Sequence, residues 1–223
     1  MVSKIHFIRH GITEGNKNKW FYGAADLNLT DEGREKLIRF RNDGVYPVIP
    51  PHGMFYTTGL VRTEETLKII YGDVPHRAIS KLQEMNFGEY ECKSFEELKD
   101  DGTFLEWGYD ETGDVCLPGA ESKNQFNRRI SEGLKELEGF HHRESLHLRH
   151  QHKDAVSVMI CHGGVISAIM NELFPHEEAY STLWDWMPSP GYGYTVTFAD
   201  GAPQKWEDIT DGAAEGKSFE SRM

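Results

Sequence analysis

The chain reads as α/β: a three-layer α/β/α sandwich around a mostly parallel sheet, with a small cap insertion. Three observations predict this. Strand-like and helix-like segments alternate along the chain, which is the order a layered α/β domain requires. Residues 155–160, Ala155-Val156-Ser157-Val158-Met159-Ile160, form a nearly continuous apolar run of the kind suited to a central strand covered on both faces. Two predicted strands end in a histidine followed by glycine, His10-Gly11 and His162-Gly163-Gly164. Ligands of open α/β sheets sit beyond the carboxyl ends of the strands, so both histidines are expected at one site.

Taken in order, Lys4 to Ile8 is a short first strand, bounded by Gly11. Thr30 is placed to cap a helix that has Asp31 and Glu32 in its first turn and Leu37, Ile38 and Phe40 as apolar positions. Pro47, Pro50, Pro51 and Gly53 break the pattern before a second strand at Met54-Phe55-Tyr56-Thr57. Leu60 to Tyr71 has helical spacing, with Leu60, Thr63, Leu67 and Ile70 near one face. From Glu84 to about Pro118 the chain is rich in Gly, Asp, Glu and aromatic residues with weak periodicity. Residues 85–120 therefore read as a cap-like excursion.

After Pro118-Gly119 a helix is expected from Glu121 to Phe140, then the 155–160 strand and a helix from Val165 to Leu173. Tyr194 to Phe198 and Pro203 to Trp206 are late strands. Residues 1–210 read as one domain without internal repeats, followed by a polar, loosely held tail at 211–223.

Composition bounds the function. With 223 residues and 38% hydrophobic content there is enough apolar material for a core. The net charge of −12 and the pI near 5.4 argue against general nucleic-acid binding, which needs an excess of Lys and Arg, but not against a locally basic pocket. Cys92, Cys116 and Cys161 are odd in number and show no CxxC spacing, so neither a disulfide framework nor a cysteine zinc site is expected. The chain has no stretch of about 18 apolar residues and its N-terminal apolar run is too short for a signal peptide. The expectation is no membrane partner and a cytoplasmic location.

The chemistry begins at Arg9-His10-Gly11-Ile12-Thr13-Glu14-Gly15-Asn16, just after a strand. An imidazole can attack phosphorus and divide one hard displacement into two easier ones. An adjacent Arg can hold the anionic oxygens through its fork of donors. On its own an Arg-His-Gly tripeptide is weak evidence, because a lone histidine is more often structural.

The surrounding pattern is more specific. Arg9-His10-Gly11-x-Thr13-x-x-Asn16 and Gly23-x-x-Asp26-x-x-Leu29-Thr30-x-x-Gly33 resemble the opening of the histidine phosphatase superfamily, also called phosphoglycerate mutase-like. Further blocks match in order: Thr57-Thr58-Gly59-Leu60-x-Arg62-Thr63-x-x-Thr66; Leu82-x-Glu84-Met85-Asn86-Phe87-Gly88-Glu89-Tyr90-Glu91; Pro118-Gly119-Ala120-Glu121-Ser122 with Arg128 or Arg129 downstream; and Cys161-His162-Gly163-Gly164. The resemblance runs from about residue 4 to 198.

It implies that His10 is a nucleophile carrying a phosphoryl group, and that Arg9, Arg62 and His162 surround the phosphate. Asn16 and Gly23 are implied to assist in substrate binding. Glu84 is implied as general acid for the leaving alcohol and then as base for water. No cofactor and no metal ligand is implied, and the substrate class is a small phosphate ester. Each residue also has a plainer reading. Arg62 could pair with Glu64 or Glu65 on a helix surface, Glu84 could be a solvated loop acid, His162 a satisfied core histidine, and Asn16 a turn cap.

Departures from the family pattern leave the charged positions intact. Tyr90-Glu91-Cys92 stands for Trp-Glu-Gly, Thr57-Thr58-Gly59 for Ser-Ser-Pro, and Gly119-Ala120 for Gly-Gly. Mutases of the family carry a basic stretch soon after the acid, whereas Phe87 to Pro118 contains only Lys93 and Lys99. The resemblance therefore leans toward the phosphatase subgroup, which includes α-ribazole phosphatase-like proteins. A mutase, or a relative that only binds phosphate, is the alternative.

A further reading concerns His141, His142, His147, His150 and His152, which form either a polar connector or, through His147 and His150, a transition-metal site. The rings of Phe87, Tyr90, Phe95, Phe104, Trp107 and Tyr109 either line a substrate pocket or pack the cap. Trp184, Trp186 and Pro188-Ser189-Pro190-Gly191 read as a loop feeding the last strand near the site. Nothing in the sequence signals an oligomeric state.

Overall fold

The computed structural model describes residues 2–177 and 185–210. Strand β1 (Val2–Arg9) leads through a single-turn helix, α1 (Glu14–Lys17), to a two-residue strand, β2 (Trp20–Phe21). Helix α2 (Asp31–Asn42) starts where its cap dictates: the Gly33 N–H donates to Thr30 Oγ1 at 3.0 Å, and two acids lie in the first turn. Strand β3 (Met54–Thr57), helix α3 (Val61–Tyr71) and strand β4 (His76–Ala78) follow. Two 3₁₀ turns then lead to β5 (Lys93–Ser94), α4 (Phe95–Leu98) and α5 (Gly102–Tyr109). The chain continues with α6 (Lys123–Arg149), β6 (Val156–Cys161), α7 (Gly163–Leu173), β7 (Gly193–Ala199) and β8 (Ala202–Ile209).

The six-stranded sheet runs β4-β3-β6-β1-β7-β8. The first four strands are mutually parallel, β7 pairs antiparallel with β1, and β8 pairs antiparallel with β7 at the edge. Alternation within the central strands feeds two cores, as the period of two requires. Ile5, Phe7, Met159 and Cys161 pack with Ile130 and Leu134 of α6 and Ile166 and Ile169 of α7. Ile8, Val158 and Ile160 pack with Leu37 and Phe40 of α2 and Leu67 and Ile70 of α3. These are the three layers expected from the sequence.

The helix expected at 121–140 extends to Arg149, so residues 141–149 are not a connector. The buried stripe of α6 continues past Leu134 and Leu137 through His141 to Leu148. A histidine in that stripe hides the apolar periodicity. His141 turns inward and its Nδ1 lies 2.8 Å from Ser157 Oγ on β6. This removes it from any exposed histidine cluster, and among the described residues no three His, Cys, Asp or Glu side chains are grouped to hold a metal ion.

The excursion has a small core of its own. Tyr90, Leu98, Phe104 and Leu117 are buried together, and Phe21 of β2 meets Phe87, Phe104 and Trp107 at ring separations of 5.5, 5.1 and 6.3 Å. These rings pack the segment onto β2, while Tyr109 is 82% exposed. Trp186 is fully buried, edge-on to Tyr194 and Trp206. Trp184 and the 211–223 tail lie outside the described residues. No helix among the described residues is long and apolar enough to cross a membrane.

Two histidines away from the strand ends make stability depend on pH. His6, with Nδ1 2.8 Å from Thr195 Oγ1, and His141 are each held down to about 4, chiefly by burial, with Lys4 adding to the effect at His6 and His142 at His141. The folded pKa lies below the unfolded value, so the unfolded chain binds more protons between the two. The contribution is complete above pH 6.5 and is lost as pH falls toward 4. The loss is on the order of 3 kcal/mol per histidine. Denaturant unfolding at pH 7.5 and 5 should show a smaller decline for His141→Gln than for the parent; equal declines would remove His141 as a cause.

Candidate active site

The strand register builds the site. Arg9 lies opposite Cys161 in the parallel β1–β6 pair, and the His10 N–H donates to Cys161 O at 3.0 Å. His10 and His162 therefore leave the sheet side by side, with ring centroids 5.3 Å apart at 63°. β3, on the other side of β6, ends at Thr57, and the first turn of α3 brings in Arg62.

The tautomer of His10 follows from its partner. Nδ1 is 2.7 Å from Gly11 O, and a carbonyl can only accept, so Nδ1 carries the proton and Nε2 keeps its lone pair. Burial, reinforced by Arg62 and Arg9, holds the pKa of His10 well below its ordinary value, against a smaller opposite effect of the Gly11 carbonyl. The imidazole is neutral at neutral pH. The adjoining turn is tied down because the Gly11 N–H donates to Thr66 Oγ1 at 3.0 Å, and that hydroxyl donates to Arg62 O at 2.7 Å.

His162 is fixed by a relay. Arg62 Nε donates to its Nδ1 at 3.3 Å, which leaves the ring proton on Nε2, 3.0 Å from Thr58 Oγ1. The Thr63 hydroxyl donates to Leu60 O at 2.7 Å, so it receives the Thr58 hydroxyl at 3.2 Å, and Thr58 in turn accepts from His162. Burial, then Arg62, His10 and Arg9, also push the His162 pKa well down.

Arg62 is fully buried and is no surface residue; Glu64 and Glu65 bond instead to Thr57 and Arg34. Its Nη1 and Nη2 donate to Ala25 O and Gly23 O at 2.7 and 2.8 Å. Arg9 Nη1 donates to Pro188 O at 2.8 Å, and Arg9 Nε is buried without a hydrogen-bond partner. Neither arginine has a carboxylate ion-pair partner among the described residues. Two uncompensated guanidiniums in a desolvated site are costly unless an anion joins them.

Glu84 is brought to the same end of the sheet by its backbone partners. Its Oε2 accepts the Gly164 N–H at 2.9 Å and its Oε1 accepts the Met85 N–H at 3.0 Å. A Cβ at position 164 would lie 2.6 Å from Glu84 Oε1, which explains the second glycine of Gly163-Gly164. Asn16 sits in the capping box of α1, where its Oδ1 accepts the Thr13 N–H and hydroxyl at 3.0 and 3.1 Å. Gly23 lies against the Met85 carbonyl, where a Cβ would come within 1.7 Å of the oxygen.

Several residues here were not singled out from the sequence. Tyr22 roofs the cluster. Its hydroxyl is 2.7 Å from Thr13 Oγ1, its ring centroid is 6.4 Å from that of His10, and Arg62 Cζ lies 5.2 Å from its ring centroid. Beneath it His10 is 3% exposed, and Arg62 and His162 are 0% exposed. Thr58 and Thr66 stood within a matched block, but only the folded geometry gives them partners.

Glu91 is the other such residue. Its carboxylate accepts the N–H groups of Gly23, Ala24, Ala25 and Phe87 at 2.9–3.1 Å. Glu91 thus binds the donors of the loop whose carbonyls bind Arg62. Glu91→Ala strands four backbone donors, each costing about 1–3 kcal/mol where buried. The expected results are a marked fall in melting temperature and weaker inorganic phosphate binding, both read by thermal shift with and without phosphate. An unchanged phosphate shift would detach Glu91 from the site.

Comparison with known proteins places this geometry. The histidine phosphatase superfamily (branch 1) matches residues 5–208. The adenosylcobalamin/alpha-ribazole phosphatase of Salmonella typhimurium is 24% identical over 208 residues, 89% of this chain and 92% of that protein. A putative phosphoserine phosphatase 2 of Hydrogenobacter thermophilus is 26% identical over 180 residues, 76% of this chain and 77% of that one. A 2,3-bisphosphoglycerate-dependent phosphoglycerate mutase of Bradyrhizobium diazoefficiens is 27% identical over 141 residues, 58% of this chain and 66% of that one. The crystal structure of a putative alpha-ribazole-5'-P phosphatase from Escherichia coli shares the fold, with a TM-score of 0.76, 20% identity, and coverage of 96% of this chain and 99% of that one. The chain belongs to the histidine phosphatase superfamily (branch 1), whose phosphoryl transfer is of phosphatase or mutase type.

Proposed function

We propose that this protein is a phosphomonoesterase that acts on a small phosphorylated metabolite through a phosphohistidine on His10. The observation that carries the reading is the pairing of an unprotonated His10 Nε2 with the buried Arg62 and the partly buried Arg9, which lack carboxylate partners among the described residues, Arg9 having a buried, orphaned Nε–H. A phosphoryl group supplies the missing negative charge, and an anion held by two guanidiniums presents phosphorus to the lone pair.

In the first step Nε2 attacks phosphorus and the P–O bond to the leaving group breaks, while Glu84 passes its proton to the departing oxygen. In the second step Glu84 takes a proton from water, the water oxygen attacks phosphorus, and the P–N bond breaks. Inorganic phosphate leaves and His10 is restored. His162 gives its one N–H to Thr58 and accepts from Arg62 Nε, so it fixes the guanidinium beside the transferring group; Asn16 and the Gly23 loop line the flank of that group.

No step in this scheme calls for a metal ion or a cofactor. The expected result is hydrolysis of p-nitrophenyl phosphate that persists in EDTA and releases one inorganic phosphate per nitrophenol. Turnover that EDTA removes, or phosphate that passes to an acceptor sugar or acid instead of water, would overturn this reading in favour of metal-dependent or mutase chemistry.

A further inference from the structure

Beside Glu84 an open cavity of about 300 Å³ is lined by Ala24, Gln83, Ala120, Glu121 and Arg129 among others. Glu84 is part of its lining and His10 is not. If Glu84 protonates the leaving oxygen, the rest of the substrate has this cavity to occupy.

The charges of the cavity are already spent on the protein itself. Among the described residues Arg129 is the one cation of its lining, and a guanidinium has five N–H donors. Nε donates to Glu121 Oε2 at 3.0 Å, Nη1 to Lys81 O and Gln83 O at 2.8 Å each, and Nη2 to Glu84 O at 3.2 Å and to Glu121 Oε1. All five are used. Arg129 is a brace for the backbone that carries Glu84, not a receptor for a second anion. Glu121 also accepts the Asn86 N–H at 3.0 Å, so its carboxylate is locked in place facing the cavity.

A carboxylate or second phosphate on the substrate would therefore lose its water beside the Glu121 carboxylate with no guanidinium N–H left to receive it. Like charges brought together in a partly desolvated site repel strongly. Hydroxyl groups meet no such cost, and the carboxylate and amide oxygens of the lining can accept from them.

We infer that the cavity beside Glu84 takes an uncharged, hydroxyl-bearing leaving group and rejects one that carries a second anion. The inference rests on the phosphomonoesterase reading for the placement of the leaving group. It excludes phosphoglycerates as preferred substrates, although mutases that take them are among the relatives.

Glycerol 3-phosphate and 3-phosphoglycerate test it, because they differ only by a hydroxymethyl in place of a carboxylate. Binding of each to His10→Ala, measured by calorimetry, reads discrimination without turnover. The neutral-tailed ester should bind at least about tenfold more tightly, and Glu121→Gln in the same background should narrow that ratio severalfold, mainly by improving phosphoglycerate. A Glu121→Gln protein that keeps the parental melting temperature ensures that the brace is intact; if it melts early, the ligand pair is compared in the His10→Ala protein at low and high salt instead, where screening of the Glu121 carboxylate should narrow the ratio. Equal affinities, tighter phosphoglycerate binding, or binding of neither ester overturns the inference. Failure of wild-type p-nitrophenyl phosphate hydrolysis overturns the phosphatase reading alone, because the affinity ratio is obtained independently of chemistry.

Discussion

His10→Ala should lower turnover of p-nitrophenyl phosphate by about 10⁴-fold or more while leaving a cooperative unfolding transition. The size follows from what is removed: the only proposed acceptor of the phosphoryl group, with Nε2 unprotonated because Nδ1 is bound to the Gly11 carbonyl. Loss of a covalent nucleophile leaves only the residual catalysis of electrostatic binding, a loss on the order of 10⁴- to 10⁶-fold in comparable enzymes. Arg9, Arg62 and the β1–β6 register do not depend on the imidazole, so inorganic phosphate should still stabilise the variant. Rapid quench of the parent with labelled substrate should yield an acid-labile, alkali-stable phosphoenzyme that the variant lacks. More than about 1% residual activity in His10→Ala would place the nucleophile elsewhere.

Much of this site was legible in the sequence because the fold is local in the right places. The strand at Val156–Cys161 is a nearly continuous apolar run, the one at Val2–Arg9 is marked by its Ile5, Phe7 and Ile8, and each hands its last residue straight to the histidine and glycine that follow. Once the two strands are adjacent and in parallel register, His10 and His162 cannot be far apart. Thr30 shows itself as a cap by the acids behind it. What stayed hidden depends on long-range partners. Glu91 reads as one acid among several until the 23–25 loop folds onto it, and Tyr22 carries no signal of its own until its ring is found beside Arg62. The end of α6 was missed because a buried histidine bonded to a serine on another strand has no apolar signature. Asn16 carried two readings, and the capping geometry occupies its oxygen; any contact with substrate falls to its amide nitrogen.

Glu84→Gln should separate substrates by their leaving groups. Glutamine keeps the length of the side chain and can accept one of the two backbone N–H bonds now made by Gly164 and Met85, so the loop braced by Arg129 is retained. It cannot deliver a proton. For an alkyl ester such as glycerol phosphate the leaving oxygen would depart as an alkoxide, and general acid catalysis at such a position is worth about 10²- to 10⁴-fold. A nitrophenolate needs little protonation, so transfer from p-nitrophenyl phosphate to His10 should slow by no more than severalfold. Steady-state rates would blur this contrast, since the same carboxylate activates water in the second step. Stopped flow resolves the two steps: the variant should give a fast burst approaching one nitrophenolate per site, followed by slow turnover. With the alkyl ester no phosphoenzyme should accumulate, because its formation has itself become slow. A burst rate reduced as much as the alkyl rate would show that Glu84 positions the substrate instead of donating a proton.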